Sequence, residues 1–401
     1  MSIDIANLVK IPVRVRLLIL SLIVSTGTIS LAATINVKSR GARGNGVADD
    51  TAAINRAITR SALGDTIFFP AGTYKISFPS GVVLEAGRIY RGDTNGRSKL
   101  IGTGGYSVAT SKFNEAIDIT LEYLVFDGGG LRLDGNVVPA RHISVTNCTF
   151  QNIVTNGENW TTHMGIFIGT GAEHSQFDHN RFYNIFTGGK YGLEDSDATG
   201  IFGYGLSHST ITDNTFDFVN EGVHIFFDKT DGTDVLVARN RFTRVHRIAM
   251  EFQHDQTDGL VVGDNIVSDP LNPYWLTYGM SVAATTKTGK GIIVQNNTVI
   301  ANIPLDTSVN PGNYYPYGIE VWGTNTIVRN NRVIGLWGIG IGIGAARNMV
   351  VEKNLVCGKV ASYGKSIHQY YGPQQGTRLV KNVVTSACPP EALALMSSVK
   401  W

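Results

Sequence analysis

Nine segments of one pattern set how this chain folds: Val145-Thr-Asn-Cys-Thr-Phe150, Phe177-Asp-His-Asn-Arg-Phe182, Ile211-Thr-Asp-Asn-Thr-Phe216, Val237-Ala-Arg-Asn-Arg-Phe242, Val262-Gly-Asp-Asn-Ile-Val267, Val294-Gln-Asn-Asn-Thr-Val299, Val328-Arg-Asn-Asn-Arg-Val333, Val351-Glu-Lys-Asn-Leu-Val356 and Val380-Lys-Asn-Val-Val384. A β-branched or aromatic residue leads into polar residues and Asn, and Val or Phe follows after one intervening residue in the segments from Phe177 onward. The asparagines Asn180, Asn214, Asn240, Asn265, Asn297, Asn331, Asn354 and Asn382 are spaced by 34, 26, 25, 32, 34, 23 and 28 residues. A helical-pair repeat tolerates little variation in length, whereas a β-solenoid absorbs insertions in its turns. Stacked Asn side chains can also bond along a ladder, which suits a repeated buried turn.

Between successive asparagines lies a second strand: Gly165-Ile-Phe-Ile, Gly222-Val-His-Ile, Ala249-Met-Glu-Phe, Gly279-Met-Ser-Val, Gly318-Ile-Glu-Val and Gly340-Ile-Gly-Ile. Period-two alternation turns Ile, Val and Met inward and the intervening residue outward. Each coil therefore has at least two short strands. A β-sandwich also has many short strands, but it does not explain the common register of the Asn and Gly motifs.

The chain has 401 residues, 46 of them Gly, and is 16% charged. No linker-like run divides it, so the expectation is one long solenoid. The N-terminus has the parts of a secretory signal peptide: Lys10, Arg14 and Arg16, the apolar run Leu17 to Val24, and small residues around Ser30-Leu31-Ala32. The apolar run is too short and broken for a bilayer span. The expected divisions are a signal peptide over 1–32, an N-terminal cap over 33–65, a parallel β-helix over 66–388 and a C-terminal cap over 389–401. The product would be secreted or periplasmic, with no membrane association after cleavage. Lys10, Arg14, Arg16 and Asp4 account for the whole formal charge of +2, leaving the rest neutral. A nucleic-acid partner needs a basic footprint and is not expected. Of three cysteines, Cys357 and Cys388 are a candidate pair in an oxidising compartment, and Cys148 is expected as a buried apolar residue.

At the front, Asp49-Asp50-Thr51 is a candidate N-cap, and Ala52, Ala53, Ile54, Ala57 and Ile58 form an apolar helical face. Such a helix would cover the open edge of the first coil. The pattern Gly41-Ala-Arg-Gly-Asn-Gly-Val-Ala-Asp-Asp-Thr-Ala-Ala-Ile54, followed by Phe69-Pro-Ala-Gly-Thr-Tyr74, resembles the pectate-lyase superfamily, in particular the rhamnogalacturonase/epimerase-like pectate lyase domain. The resemblance covers roughly residues 35–128. It implies a single-stranded right-handed parallel β-helix with an N-terminal capping helix, all-β in class, and work on polysaccharides. It does not fix the reaction, because this fold hosts hydrolases, lyases and epimerases. The Asp-Asp and Gly-His-Gly set of polygalacturonases is absent from the coils, as are Asp-Pro-His-Glu and Trp-Ile-Asp-His. No catalytic residue is carried over, and Asp49-Asp50 is taken as structural.

Site candidates come instead from the outward column Phe167, His224, Glu251, Ser281, Glu320 and Gly342. Two short coils there lie between longer ones, so long loops are expected to wall a cleft floored by 221–228 and 247–255. Glu251 and Glu320 are two coils apart, roughly 10 Å between backbones, which overlaps the spacing of an inverting glycosidase pair. His224 and Asp228 are expected to support them. The competing expectation is that outward polar residues are simply solvated. Tyr191, Arg247, His254, Trp275, Tyr314 and Tyr315 are the substrate-binding candidates, since flat rings offer apolar faces to sugars. The tails Asp228-Lys-Thr-Asp-Gly232 and Asp255-Gln-Thr-Asp-Gly259 read as turn formers, with Ca²⁺ ligation as the second reading; no metal site is assigned. The expected function is polysaccharide cleavage by a glycoside hydrolase. Lyase or uronate epimerase chemistry and non-catalytic carbohydrate binding are the rivals.

Overall fold

A computed structural model describes residues 31–102, 107–133, 138–155, 163–187, 198–227, 232–253, 257–268, 278–283, 291–301, 317–335, 337–358, 366–369 and 374–398. Among the described residues every strand pairing is parallel and joins each coil to the next. One flank is a sheet of thirteen strands in chain order, from Thr34–Asn36 to Arg378–Val380. Most other described strands form a larger sheet, and two short sheets stack Ala140–Arg141, Ala172–Glu173 and Leu206–Ser207, and Gly232–Thr233 with Thr257–Asp258. The fold is the expected right-handed parallel β-helix.

The tight turn between the two flanks carries the Asn ladder. The residue before each ladder Asn is left-handed, including His179 at φ 55°, Asp213 at 58°, Arg239 at 56° and Asp264 at 58°. A side chain in that region costs on the order of 1–2 kcal/mol, so the turn needs compensation. The asparagines supply it. Asn240 N–H donates to Asn265 Oδ1 at 2.9 Å, and its Nδ2 reaches the same oxygen at 3.0 Å and Ile211 O at 2.9 Å. Asn240 Oδ1 in turn accepts the backbone N–H and Nδ2 of Asn214. The backbone link repeats from Asn180 through Asn382. Below Asn180 the position is taken by Cys148, whose N–H donates to Asn180 Oδ1 at 2.9 Å. The Asn147 of the sequence pattern is instead the left-handed residue of that coil, at φ 54°. The pairing Phe150 with Phe182 fixes this one-residue offset.

Inside, the Phe that follows the ladder stacks coil on coil. Phe126, Phe150, Phe182, Phe216 and Phe242 have successive centroids 4.7, 5.1, 4.6 and 4.6 Å apart. That is the spacing of neighbouring strands, about 4.8 Å. These rings explain the glycine that opens the second strand: a Cβ at Gly222 would sit 2.4 Å from the Phe242 ring.

Helix α1, Thr51–Thr59, buries Ala53, Ile54, Ala57 and Ile58 in the same core that runs through the coils. Ala52 falls off that face and is exposed. Asp50 occupies the N-cap position but makes no side-chain cap bond; its carboxylate accepts the Arg43 and Gly44 N–H groups. Asp49 accepts from Thr51 N–H and Oγ. Both carboxylates thus hold backbone, in keeping with a structural role.

At the other end, α2 (Pro390–Ser398) lies on the flank of the coils and not over the last one. Its Ala392 packs with Ile300, Ile334 and Cys357. Leu379 and Val384 of the last coil stay half exposed. The disulfide Cys357–Cys388 ties the helix to that flank, and the cysteine pairing of the sequence is realised. Cys148 is buried, as expected.

Asn265→Ala leaves Asn240 N–H without its acceptor in a buried turn and removes the side-chain bond to Val237 O. It is expected to cost about 2 kcal/mol, read as a lowered urea midpoint with an unchanged slope; a change below about 0.5 kcal/mol would mean the ladder is not stabilising.

Candidate functional site

Six second-flank strands carry the site: β1 (Thr199–Gly203), β2 (Thr215–Phe226), β3 (Arg241–Gln253), β4 (Tyr278–Ala283), β5 (Tyr317–Thr324) and β6 (Ile339–Arg347). Their register aligns Phe202, His224, Glu251, Ser281, Glu320 and Gly342 in one column. The expected column is therefore present, with Phe202 as a coil that the sequence pattern passed over. Phe167 precedes it on the next strand out.

The column is not solvated. His224 is 4%, Glu251 6% and Glu320 8% exposed. Buried charge requires partners, and these residues have them. His224 Nδ1 lies 2.9 Å from Glu221 Oε2, and its Nε2 lies 3.6 Å from Glu251 Oε2. Glu221 also accepts from Arg247 Nη1 at 2.7 Å and Thr199 Oγ at 3.1 Å. Glu251 accepts from Gln253 Nε2, and Glu320 from Ser281 Oγ. The Phe202 and Phe226 rings pack on the imidazole at 5.3 and 4.4 Å between centroids.

Environment drives the two carboxyls of this cluster apart. Burial opposes ionisation of Glu221, but His224, Arg247 and the hydrogen bonds outweigh it and hold its pKa below the ordinary value. For Glu251 burial dominates; His224 pulls the other way, but with the Glu221 charge added its pKa is raised. A pair of carboxyls displaced in opposite directions is the usual arrangement of an acid beside a fixed anion. Tyr278 stacks on Tyr317 with centroids 5.2 Å apart. Burial first, then the charges of Glu320, Tyr317 and Glu251, push its phenol up, so it stays protonated.

Glu221 escaped the sequence reading because simple alternation gives it the inward parity of Val223 and Ile225. The bend between flanks breaks that parity: the register shifts by one residue between Val219 and Glu221. The available signal was a carboxylate in a row otherwise filled by Thr199, Ile248, Tyr278 and Tyr317. Arg247 joins the cluster, with its guanidinium engaged by Glu221. His246 turns to Phe186, at 5.0 Å between centroids, and burial lowers its pKa. Asp228, Tyr191, His254, Trp275, Tyr314 and Tyr315 lie outside the described residues.

Glu221, His224 and Glu251 bring one potential metal-ligand atom each within 4.8 Å of one another. The set does not suit Ca²⁺, which takes six to eight oxygen ligands. The two imidazole nitrogens face different carboxylates, and Arg247 already balances Glu221. The donors of this cluster are thus already engaged with one another and with the Arg247 guanidinium.

Fold and site together define a parallel β-helix with a buried acid–imidazole cluster on one outward strand face. The profile of the family described as rhamnogalacturonase A/epimerase, pectate lyase-like, matches residues 34–242, just over half of the chain. The chain belongs to that family. The match includes Glu221 and His224 and ends before Glu251 and Glu320. Among solved structures, the A-module of the Azotobacter vinelandii mannuronan C-5 epimerase AlgE6 is similar with a TM-score of 0.56 at 15% identity, over 87% of this chain and 93% of that one. The DFA-IIIase of Arthrobacter chlorophenolicus A6 gives 0.54 at 12%, over 90% and 96%. The catalytic domain of a GH87 α-1,3-glucanase gives 0.53 at 15%, over 83% and 63%. At these identities the likeness is one of fold. No curated protein matches the sequence significantly.

Glu251 and Glu221 have opposite pH signatures. The raised pKa of Glu251 means that its contribution to stability is present below the unfolded carboxyl pKa and lost as pH rises through the folded one. Glu251→Gln, which mimics the protonated acid, should melt above the parent at about pH 7 and converge with it below about pH 4. Glu221 contributes above the unfolded pKa and loses this as pH falls through its lowered one. Glu221→Gln should cost about 3 kcal/mol near pH 7, because Arg247 and His224 lose their anion. Thermal melts of both variants across pH check the two signs; identical pH profiles for parent and variants would contradict them.

Proposed function

We propose that this chain is an exported, polysaccharide-active enzyme and that it hydrolyses a glycosidic bond. The observation that carries the proposal is Glu251, a buried carboxyl with a raised pKa, in the same outward column as Glu320 with only Ser281 between them. Two coil steps separate their backbones by about 10 Å, which side chains can bring within the roughly 6.5–9.5 Å of an inverting pair. In this scheme Glu251 donates its proton to the leaving glycosidic oxygen. Glu320, oriented by the Ser281 hydroxyl, takes a proton from the water that attacks the anomeric carbon from the opposite face. Glu221, Arg247 and Thr199 hold His224, which positions Glu251. The carbohydrate enzymes named among the similar structures, an epimerase, a DFA-IIIase and an α-1,3-glucanase, support a sugar substrate for the fold. The Cys357–Cys388 bond supports an oxidising compartment, and with it export.

A second reading is favoured by the neighbourhood of His224 and Tyr278. An imidazole set between carboxylates, near a protonated phenol, suits proton abstraction from a uronate followed by β-elimination or epimerisation.

The test is a screen of residues 33–401 against plant, algal and bacterial polysaccharides, following reducing ends and absorbance near about 235 nm, where the unsaturated product of elimination absorbs. New reducing ends without absorbance are expected, lost by at least about a hundredfold in Glu251→Gln and Glu320→Gln. Absorbance would move the chemistry to elimination. Binding without any product would make the chain a carbohydrate-binding protein.

A further inference from the structure

Beyond Glu320 on β5 lies a pocket that the proposed chemistry does not use. Its volume is about 280 Å³, and Trp322, Arg347, Gln375, Ala283 and Ala345 are among its lining. Trp322 follows Glu320 by two residues on the same strand, about 7 Å along it and on the same face. The pocket therefore adjoins the carboxylate end of the column.

Its shape comes from a bulge. The pairing of β5 with β6 passes from Val321–Ile343 to Gly323–Ala346, so one extra residue of β6 is accommodated there. Bulges re-aim side chains beside functional sites. The indole lies against Gly344, where an added Cβ would come 2.3 Å from the ring. Small neighbours at Ala283 and Ala345 leave room beside it. Pockets for drug-sized ligands begin at about 300 Å³, so this one takes a single ring and not a length of chain.

Its charge is specific. Arg347 is exposed and forms no ion pair with any described residue, and no carboxylate is among the described residues that line the pocket. Arg239 and Arg244 elsewhere on the coils are paired with Asp213 and Asp217. A planar guanidinium beside an aromatic face combines bidentate anion recognition with ring stacking.

We propose that this pocket is a subsite that seats one sugar ring on Trp322 and fixes an anionic substituent of that ring, a carboxylate or a sulfate, on Arg347. The inference rests on the carbohydrate-active reading above and adds a preference for acidic over neutral chains at the position next to Glu320.

The experiment uses the full chain carrying Glu251→Gln, titrated calorimetrically with trigalacturonate, a sulfated galactotriose and neutral galactotriose. At least one anionic trimer is expected to bind about tenfold more tightly than the neutral one, and which trimer does so identifies the anion. Adding Arg347→Ala erases the preference, bringing the anionic trimers to the affinity of the neutral one, while Arg347→Lys keeps part of it. Adding Trp322→Ala weakens all three; Trp322→Phe restores binding in part, which separates loss of stacking from misfolding. A preference that survives Arg347→Ala, affinities unmoved by Trp322→Ala, or no preference in the parent overturns the proposal. Failure of the hydrolase reading is seen separately, as wild-type chain that leaves polysaccharide uncut while the Arg347-dependent preference remains.

Discussion

Each coil must turn sharply between its flanks and bury the turn, and a buried backbone N–H without a partner costs a large part of a domain's net stability. The amide side chain of Asn solves this with one residue type. Its oxygen takes the N–H of the coil below, and its nitrogen returns a bond to a carbonyl there. Each Asn is both donor and acceptor, so the turns lock into one register along the solenoid. Every other feature depends on that register, including the stacked Phe rings, the glycines that make space for them and the alignment of outward residues.

The same register makes a site possible on a repetitive scaffold. Side chains at equivalent positions of successive strands stand about 4.8 Å apart, so His224, Glu251, Ser281 and Glu320 form a ruled column without any special loop. What distinguishes these coils from the rest is chemical. Phe202 and Phe226 exclude water from the imidazole, while Arg247 and Thr199 fix the charge of Glu221. The consequence is a pair of carboxyls displaced in opposite directions, Glu221 with its pKa lowered beside Glu251 with its pKa raised. The bulge on β6 breaks the repeat a step further on and opens space beside Trp322.

Much of this was legible in the chain. The Asn and Gly motifs showed the coils, and alternation put His224, Glu251 and Glu320 on one outward line. Three details were not legible, each for a local reason. The ladder of aligned asparagines begins at Asn180, and below it the Cys148 backbone N–H, and not an Asn side chain, starts the run of bonds. Helix α2 lies on the flank because its anchor, Cys357, points outward from that flank beside Ile300 and Ile334. Glu221 was hidden by the bend between flanks, where strand parity ceases to predict direction.

The sequence by itself determined the architecture and the outward column, since both follow from periodicities that repeat over many coils and need only neighbouring strands to be realised. Tertiary structure decided which polar residues are buried together and in which direction their pKa values move. That follows from desolvation and from charges more than twenty residues apart in the chain, such as Arg247 on Glu221. Neither quantity has a period, so no pattern in the chain announces it.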